Sequence, residues 1–333
     1  MHDKAEKQTM KKWKTVVLAA LLMVQLTACG SSGIGRDPAD SAVRHEEGMA
    51  DKKVLLGVTY SKLQNEYIAA LQHAIRAKAQ EINVELAEAD GQGRADNQIT
   101  QVERFIADGV DAIIVNPTDR KGVAPAIDFA VDAGIPIIVL TAEVSNLDKA
   151  TAYVGSNDVI AGRMETEFIV NALGGNGAVV IIHGPNGDSA QMNRTEGIKQ
   201  VLSQTPDIKI IAEQTANFSL MQAFSLMEGW LQTYPRIDAV IAQNDEMALG
   251  AYKAIEAANR QDDVVVVGVD AIPDALKSIE EGKLAATVFQ DAQGQGSLAV
   301  EIAVRAANSE PVNHMNIVPF ELVTQENIFE YQP

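Results

Sequence analysis

The chain has 333 residues, of which 47% are hydrophobic, and its 27 lysine and arginine residues are outnumbered by 45 acidic residues, giving a formal net charge of −18. This balance argues against a nucleic-acid partner, because neutralising phosphates requires an excess of basic side chains. The single cysteine excludes an intramolecular disulfide.

Residues 1–28 differ in composition from the rest of the chain and predict a signal peptide. Three lysines, Lys11, Lys12 and Lys14, precede an apolar run over residues 16–24. That run is too short to cross a bilayer as a permanent helix. A basic flank, a short apolar stretch and small residues at a cleavage site are typical of an exported protein.

The residues that follow predict a lipid anchor. The sequence Leu26-Thr27-Ala28-Cys29 resembles the bacterial lipobox, in which the cysteine is acylated. Residues 29–51 would be the lipidated Cys29 and a flexible tether, since they are rich in small and polar residues and lack apolar periodicity. The alternative is a buried structural cysteine that happens to follow an apolar run. Lipidation would hold the protein outside the cytoplasm on the cell membrane.

From residue 53 onward, short apolar runs alternate with segments of helical periodicity. Residues 54–59, 84–87, 110–115 and 135–140 have the length and composition of strands. Between the first two runs, Ile68, Leu71, Ala74, Ile75 and Ala79 recur at helical spacing. Apolar strands separated by helices predict an α/β fold with parallel sheets covered on both faces.

One unit of this pattern occurs twice. Residues 110–119 are echoed by residues 237–246, with a shared Asp-Ala-apolar-apolar core, and each copy precedes a helix and another apolar strand. Two similar halves predict a two-lobed protein, although two buried strands can also look alike by coincidence. Polar residues follow the strands in both halves: Asn116, Asp119, Asn244, Asp245 and Asp270. Ligands bind beyond the carboxyl ends of parallel strands, so two facing lobes would enclose a small, multiply hydrogen-bonded ligand there.

The sequence lacks the motifs of a catalytic or cofactor site. There is no Gly-x-Ser-x-Gly elbow and no His-Glu-x-x-His motif, and His73 and His183 are isolated in the sequence. No glycine follows Gly57 at the end of the first strand, where a dinucleotide fold requires several. We therefore predict a protein that is not an enzyme and has no cofactor.

Residues 116–119, 243–250 and 282–288 resemble segments of the ribose-binding family of type I periplasmic binding proteins. Residues 214–218, 288–296 and 319–324 are most similar to the inositol and rhizopine branch of these proteins. The resemblance covers residues 53–325. It implies two Rossmann-like lobes, each a parallel sheet flanked by helices, joined by three hinge crossovers. The N-terminal lobe would comprise residues 52–155 plus 291–318, and the C-terminal lobe residues 156–290 plus 319–333.

The resemblance also implies a set of ligand-binding residues. One lobe would supply Asn65, Tyr67 and Asn116, the other would supply Arg194, Phe218, Asn244 and Asp270, and Gln290 would lie at a hinge. In the family, the aromatic residue at the position of Tyr67 stacks on the sugar ring.

The sequence departs from the ribose binders at two positions. Thr141, Ala142 and Glu143 stand where those proteins carry an Asp-Arg pair, and Met192 stands in place of a further arginine. Losing two bidentate donors argues against ribose and favours an inositol-like ligand, with Glu143 as a further acceptor. Residues 174–177 are too short, and too poor in carboxylates, for the calcium loop of galactose binders, so we predict no metal.

Together these features predict an extracytoplasmic solute-binding lipoprotein of an ABC importer. It would act as a monomer, capture a monosaccharide or cyclitol and deliver it to the membrane permease. A component that feeds a chemotaxis or sensor system is compatible with the same features. A sugar-responsive repressor would need a helix-turn-helix head, and a sugar-modifying enzyme would need a catalytic pair that the sequence lacks.

Overall fold

The computed structural model describes residues 53–331. The predicted signal peptide, Cys29 and the tether lie outside the described residues. None of the helices in the described part of the chain has the length and apolar character needed to cross a membrane.

The described chain alternates strands and helices along almost its whole length. The strands are β1 (Leu55–Tyr60), β2 (Glu85–Asp90), β3 (Ala112–Val115), β4 (Ile137–Thr141), β5 (Ala152–Gly155), β6 (Gly177–His183), β7 (Ile208–Thr215), β8 (Ala239–Ala242), β9 (Val265–Asp270), β10 (Ala286–Phe289), β11 (Met315–Ile317) and β12 (Glu321–Thr324). The α-helices are α1 (Glu66–Glu81), α2 (Ala95–Asp108), α3 (Ala124–Asp132), α4 (Asp158–Ala172), α5 (Ser189–Leu202), α6 (Leu220–Thr233), α7 (Asp245–Ala257), α8 (Pro273–Glu280) and α9 (Ala292–Ala307), with short 3₁₀ turns at Leu147–Lys149 and Ile328–Glu330.

The strands form two six-stranded sheets. The first has the order β11-β5-β4-β3-β1-β2, and the second has the order β12-β10-β9-β8-β6-β7. All pairs are parallel except that of β10 with β12. Inner strands such as β3 and β8 are buried at every residue, as expected for parallel strands with helices on both faces. The predicted α/β fold with two parallel-dominated sheets is confirmed.

The chain crosses between the two sheets three times. The crossovers follow β5, β10 and β11, and α9 packs against α1 and strands of the first sheet although it comes directly after β10 of the second. This path of the chain explains why β12 runs antiparallel to β10. Strand β10 leaves the second sheet at a crossover, whereas β12 enters that sheet from another, so the two neighbours run in opposite directions. We call the halves built on the first and second sheets the first lobe and the second lobe.

Helix N-caps fix the polar residues at the strand ends. The side chains of Asn65, Asp188 and Asn244 accept hydrogen bonds from backbone N–H groups in the first turns of α1, α5 and α7. An N-cap oxygen satisfies one of the donors that a helix start leaves free. Because each of these helices follows a parallel strand, the caps lie at the carboxyl edges of the sheets.

Candidate ligand-binding cleft

A cavity of about 900 Å³ lies between the carboxyl edges of the two sheets, within the range of small-molecule sites. Eight of the nine predicted ligand-binding residues line it: Asn65, Tyr67, Asn116, Arg194, Phe218, Asn244, Asp270 and Gln290. The structure therefore brings together side chains that are far apart in the sequence. Their role as ligand contacts stays a prediction.

Arg194, on α5, organises the part of the cavity formed by the second lobe. The side chain of Arg194 is only 4% exposed. Nε donates to Asp158 Oδ1 at 2.9 Å, Nη2 donates to Gln290 Oε1 at 2.9 Å, and Nη1 donates to the carbonyl oxygen of Gln243. A guanidinium has five N–H groups, so two remain for a ligand. The other three hold the group rigidly in place.

Asp270 ends β9 with a carboxylate that has no hydrogen-bond partner among the described residues. Asp270 is 7% exposed, and its carboxylate accepts no hydrogen bond from any residue within 53–331. Ile272, not Asp270, is the N-cap residue of α8, so helix capping does not account for this side chain. Burial raises the pKa of Asp270 well above its usual value, and the positive charge of Arg194 opposes that rise.

Asn244 contributes an unpartnered donor. Its Oδ1 accepts from the Met247 N–H at 3.1 Å and caps α7. Its Nδ2 is buried and has no hydrogen-bond partner among the described residues. A buried polar group without a partner costs about 1–3 kcal/mol. A ligand oxygen that accepted from this group would recover that energy.

Asn116 is engaged mainly with the protein. Its Oδ1 accepts from the Ser61 N–H at 3.0 Å, and its Nδ2 donates to Thr141 Oγ1 at 2.6 Å and to the Leu140 carbonyl at 3.3 Å. Both amide hydrogens are therefore committed to the ends of neighbouring strands. Only the Oδ1 atom of Asn116 has capacity left for a ligand hydroxyl.

Two aromatic rings, one from each lobe, line the cavity. Tyr67 donates its hydroxyl to Gln295 Oε1 at 3.1 Å, which fixes the ring. Phe218 has a positive φ of 53° and lies over Gly184, where an added Cβ would come within 2.3 Å of the ring. Positive φ is strained for a bulky residue. Such strain persists where packing imposes it, often at ligand sites.

Glu143 is the predicted site residue that the structure does not place among those lining the cavity. At Thr141 the backbone has a φ of 63°, and the Ala142 N–H bonds back to the Leu140 carbonyl at 2.8 Å. This sharp turn leaves Thr141 and Ala142 in the cavity wall. The next N–H, that of Glu143, donates to Ser189 Oγ at 2.6 Å in the second lobe.

Sequence reasoning missed Asp188. This residue lines the cavity and caps α5 by accepting from the Gln191 N–H at 3.0 Å. Burial raises its pKa to about 6. An aspartate between an apolar strand and a helical segment is an N-cap signal, and that signal could have placed Asp188 at the same sheet edge as Asn244.

No cluster of three or more His, Cys, Asp or Glu side chains within residues 53–331 is arranged to hold a metal ion. The polar groups of the cavity are instead directed hydrogen-bond donors and acceptors on two facing lobes. Two parallel-sheet lobes joined by three crossovers around such a cleft define a type I solute-binding protein.

Comparison with known proteins agrees with this class. The family model for the periplasmic binding protein domain matches residues 56–311, and the chain belongs to this family. A Rhizobium meliloti protein assigned to rhizopine binding is 38% identical over 284 residues, covering 83% of this chain and 92% of that protein. A ribose import binding protein of Bacillus subtilis is 33% identical over 317 residues, covering 95% of this chain and 100% of that protein.

A solved structure gives the same fold. The ABC transporter solute-binding protein of Bacillus halodurans with bound myo-inositol is 42% identical, with a TM-score of 0.82, and covers 84% of this chain and 97% of that one. The chain is thus an extracytoplasmic sugar-binding component of the ABC transporter family that works with a permease, and it is not an enzyme.

Proposed function

We propose that the protein captures a cyclitol such as myo-inositol between its two lobes and delivers it to an ABC permease. The observation that carries this proposal is the set of unused hydrogen-bonding groups in the cavity. Asp270 offers a free carboxylate, Asn244 a free N–H donor, and Arg194 two further N–H groups. The hydroxyls of a ring that carries one on every carbon can donate to the carboxylate of Asp270 and accept from the N–H groups of Asn244 and Arg194.

The end of β4 favours a cyclitol over ribose. Thr141 and Ala142 line the cavity where the ribose binders carry an Asp-Arg pair. Met192, which replaces a further arginine, is 44% exposed and is not a lining residue. Arg194 is the one arginine among the described lining residues. Small side chains and few guanidiniums leave room for a six-membered ring and reduce the number of cationic donors.

The relatives support the same choice. The solved structure with bound myo-inositol is 42% identical to this chain, and the relative assigned to rhizopine binding is 38% identical. The ribose import relative from Bacillus subtilis is 33% identical.

Calorimetry on the purified protein tests the ligand. Titrations with myo-inositol, an amino-inositol, xylitol, glucose and ribose should give the tightest binding with a cyclitol. We expect myo-inositol to bind at least about tenfold more tightly than ribose, a difference of about 1.4 kcal/mol. Heat from ribose or glucose at micromolar concentration, with none from either inositol, would refute the cyclitol assignment and leave the solute-binding role intact.

The proposal extends to the location of the protein. The signal-like residues 1–28, the lipobox-like Cys29 and the predicted tether to residue 51 support a protein held on the outer face of the cell membrane, where we expect it to act as a monomer. The tether predicted from the sequence has 22 residues and would have a typical reach of roughly 25 Å, which would keep the lobes near a permease.

Cys29→Ser tests the anchor. The variant should bind the same ligand with unchanged affinity but leave the membrane fraction or remain unprocessed, because acylation requires the thiol. Wild-type protein recovered entirely soluble, with Cys29 unmodified and residues 1–28 retained, would contradict the lipoprotein assignment.

A further inference from the structure

The two lobes make direct contact beside the cleft, at the loop after β6. The Arg120 N–H of the first lobe donates to the Gly187 carbonyl of the second lobe at 2.8 Å. Immediately before Arg120, the side chain of Asp119 lies against Gly187. Gly187 is not one of the cavity-lining residues, whereas Asp119 is, so the contact lies at the edge of the cleft.

The contact leaves no space for a side chain at residue 187. A Cβ added to Gly187 would lie 2.1 Å from Asp119 Oδ2. Asp119 cannot turn aside freely, because its Oδ1 accepts hydrogen bonds from the N–H groups of Lys121, at 2.9 Å, and of Gly122. The obstacle on the first lobe is therefore fixed in place by its own turn.

We propose that Gly187 is a closure-determining residue, whose missing side chain allows the lobes to come fully together over the ligand. This inference rests on the proposed capture of a ligand between the lobes. A side chain at residue 187 would meet Asp119 only when the lobes are closed, since the two residues belong to different lobes. It would therefore shift the population towards the open state and lower the apparent affinity in proportion to the loss of the closed form.

Gly187 also has a φ of +95°, so a substitution carries a backbone cost that does not depend on closure. The chain offers a matched control for that cost. Gly175, in the same lobe, has a φ of +82° and has no atom within 4 Å of an added Cβ. Gly175→Ala should reproduce the backbone strain of Gly187→Ala without the contact between the lobes.

The test compares Gly187→Ala with Gly175→Ala by calorimetry, using myo-inositol or whichever panel sugar the wild type binds most tightly. We expect Gly187→Ala to weaken binding on the order of tenfold or more, and Gly175→Ala to leave it within about twofold, with similar melting temperatures for both variants. At a ligand concentration that saturates Gly175→Ala but not Gly187→Ala, small-angle scattering should give a larger radius of gyration for Gly187→Ala.

A double-mutant cycle isolates the contact itself. Asp119→Ala removes the obstructing oxygen, so Gly187→Ala should have little further effect on affinity in that background. An equal loss of affinity with and without Asp119, or equal losses in the two glycine variants, would overturn the inference. A wild-type protein that binds none of the sugars would overturn the proposed function, and this inference with it.

Discussion

Replacing Asp270 with alanine should move affinity and stability in opposite directions. Asp270 is 7% exposed, and its carboxylate accepts no hydrogen bond within residues 53–331. The folded protein therefore bears the cost of burying it without a hydrogen-bond partner, which the attraction to Arg194 offsets only in part, and a bound ligand receives the benefit. A helix-capping residue would behave differently, because its loss lowers stability by about 0.5–2 kcal/mol.

The expected magnitudes follow from the site. Two ligand hydroxyls donating to a carboxylate contribute about 1.5–3 kcal/mol each. Ionising the buried acid offsets part of this, because burial raises the pKa of Asp270. We expect Asp270→Ala to weaken binding by ~2–5 kcal/mol, which is roughly 30- to 4,000-fold in the dissociation constant. The unfolding free energy should rise by up to ~3 kcal/mol, because the cost of burying an acceptor without a hydrogen-bond partner is removed, less the attraction to Arg194 that is lost with it.

Calorimetry with myo-inositol and urea unfolding without ligand measure the two effects on the same preparation. Asp270→Asn is the matched control, since it keeps the shape and one acceptor oxygen and should give an intermediate loss of affinity. Reduced stability with unchanged affinity would refute the reasoning and make Asp270 a structural residue.

Three further predictions concern the cavity wall. Asn244→Ser keeps a capping oxygen for Met247 but replaces the buried amide NH2 with a shorter hydroxyl, so the dissociation constant should rise about tenfold while urea unfolding shows no loss of stability; an unchanged affinity would contradict this. Phe218→Ala should weaken binding by ~1–3 kcal/mol through lost ring packing, and calorimetry showing no loss would exclude ring contact. Burial raises the pKa of Asp188 to about 6, so its contribution to stability is present below about pH 4 and is lost as pH rises through 6. Relative to Asp188→Asn, wild-type unfolding free energy should therefore fall by up to ~3 kcal/mol between pH 4 and pH 7, and parallel curves for the two proteins would contradict the assignment.

The fold could be predicted from the sequence because its signals are local and periodic. Apolar runs such as residues 110–115 have few alternatives to a buried parallel strand, and the structure places β3 there, at Ala112–Val115. The edge strand β11 could not be predicted from apolar periodicity. It is three residues long and mostly exposed, and it owes its place to pairing with β5 rather than to its own composition.

The site was harder to predict because hydrogen-bonding roles depend on the turns between elements. Nothing in the sequence indicates that Thr141 adopts a φ of 63°, yet this turn places Ala142 in the cavity wall and Glu143 outside it. In the same way, the amide side chain of Asn116 predicts a ligand contact. In the structure, however, both hydrogens of its Nδ2 are donated to the end of the neighbouring strand β4, at Leu140 and Thr141. The sequence pattern thus places a polar side chain at the carboxyl edge of a sheet, whereas the backbone turn after the strand determines which groups that side chain can contact.

The capping residues show which positions are free to determine specificity. In an α/β lobe each strand leads into a helix whose first turn needs an oxygen, so Asn65, Asp188 and Asn244 would be polar at this edge whatever the ligand. Their presence therefore says little about which sugar is bound. Asp270 caps no helix and accepts no hydrogen bond within the described residues. Arg194 is held by side chains and a carbonyl of its own lobe and of the hinge, with N–H groups to spare. The choice between ribose and a cyclitol should thus depend on Asp270, on Arg194 and on the lack of a second guanidinium among the lining residues that the structure describes.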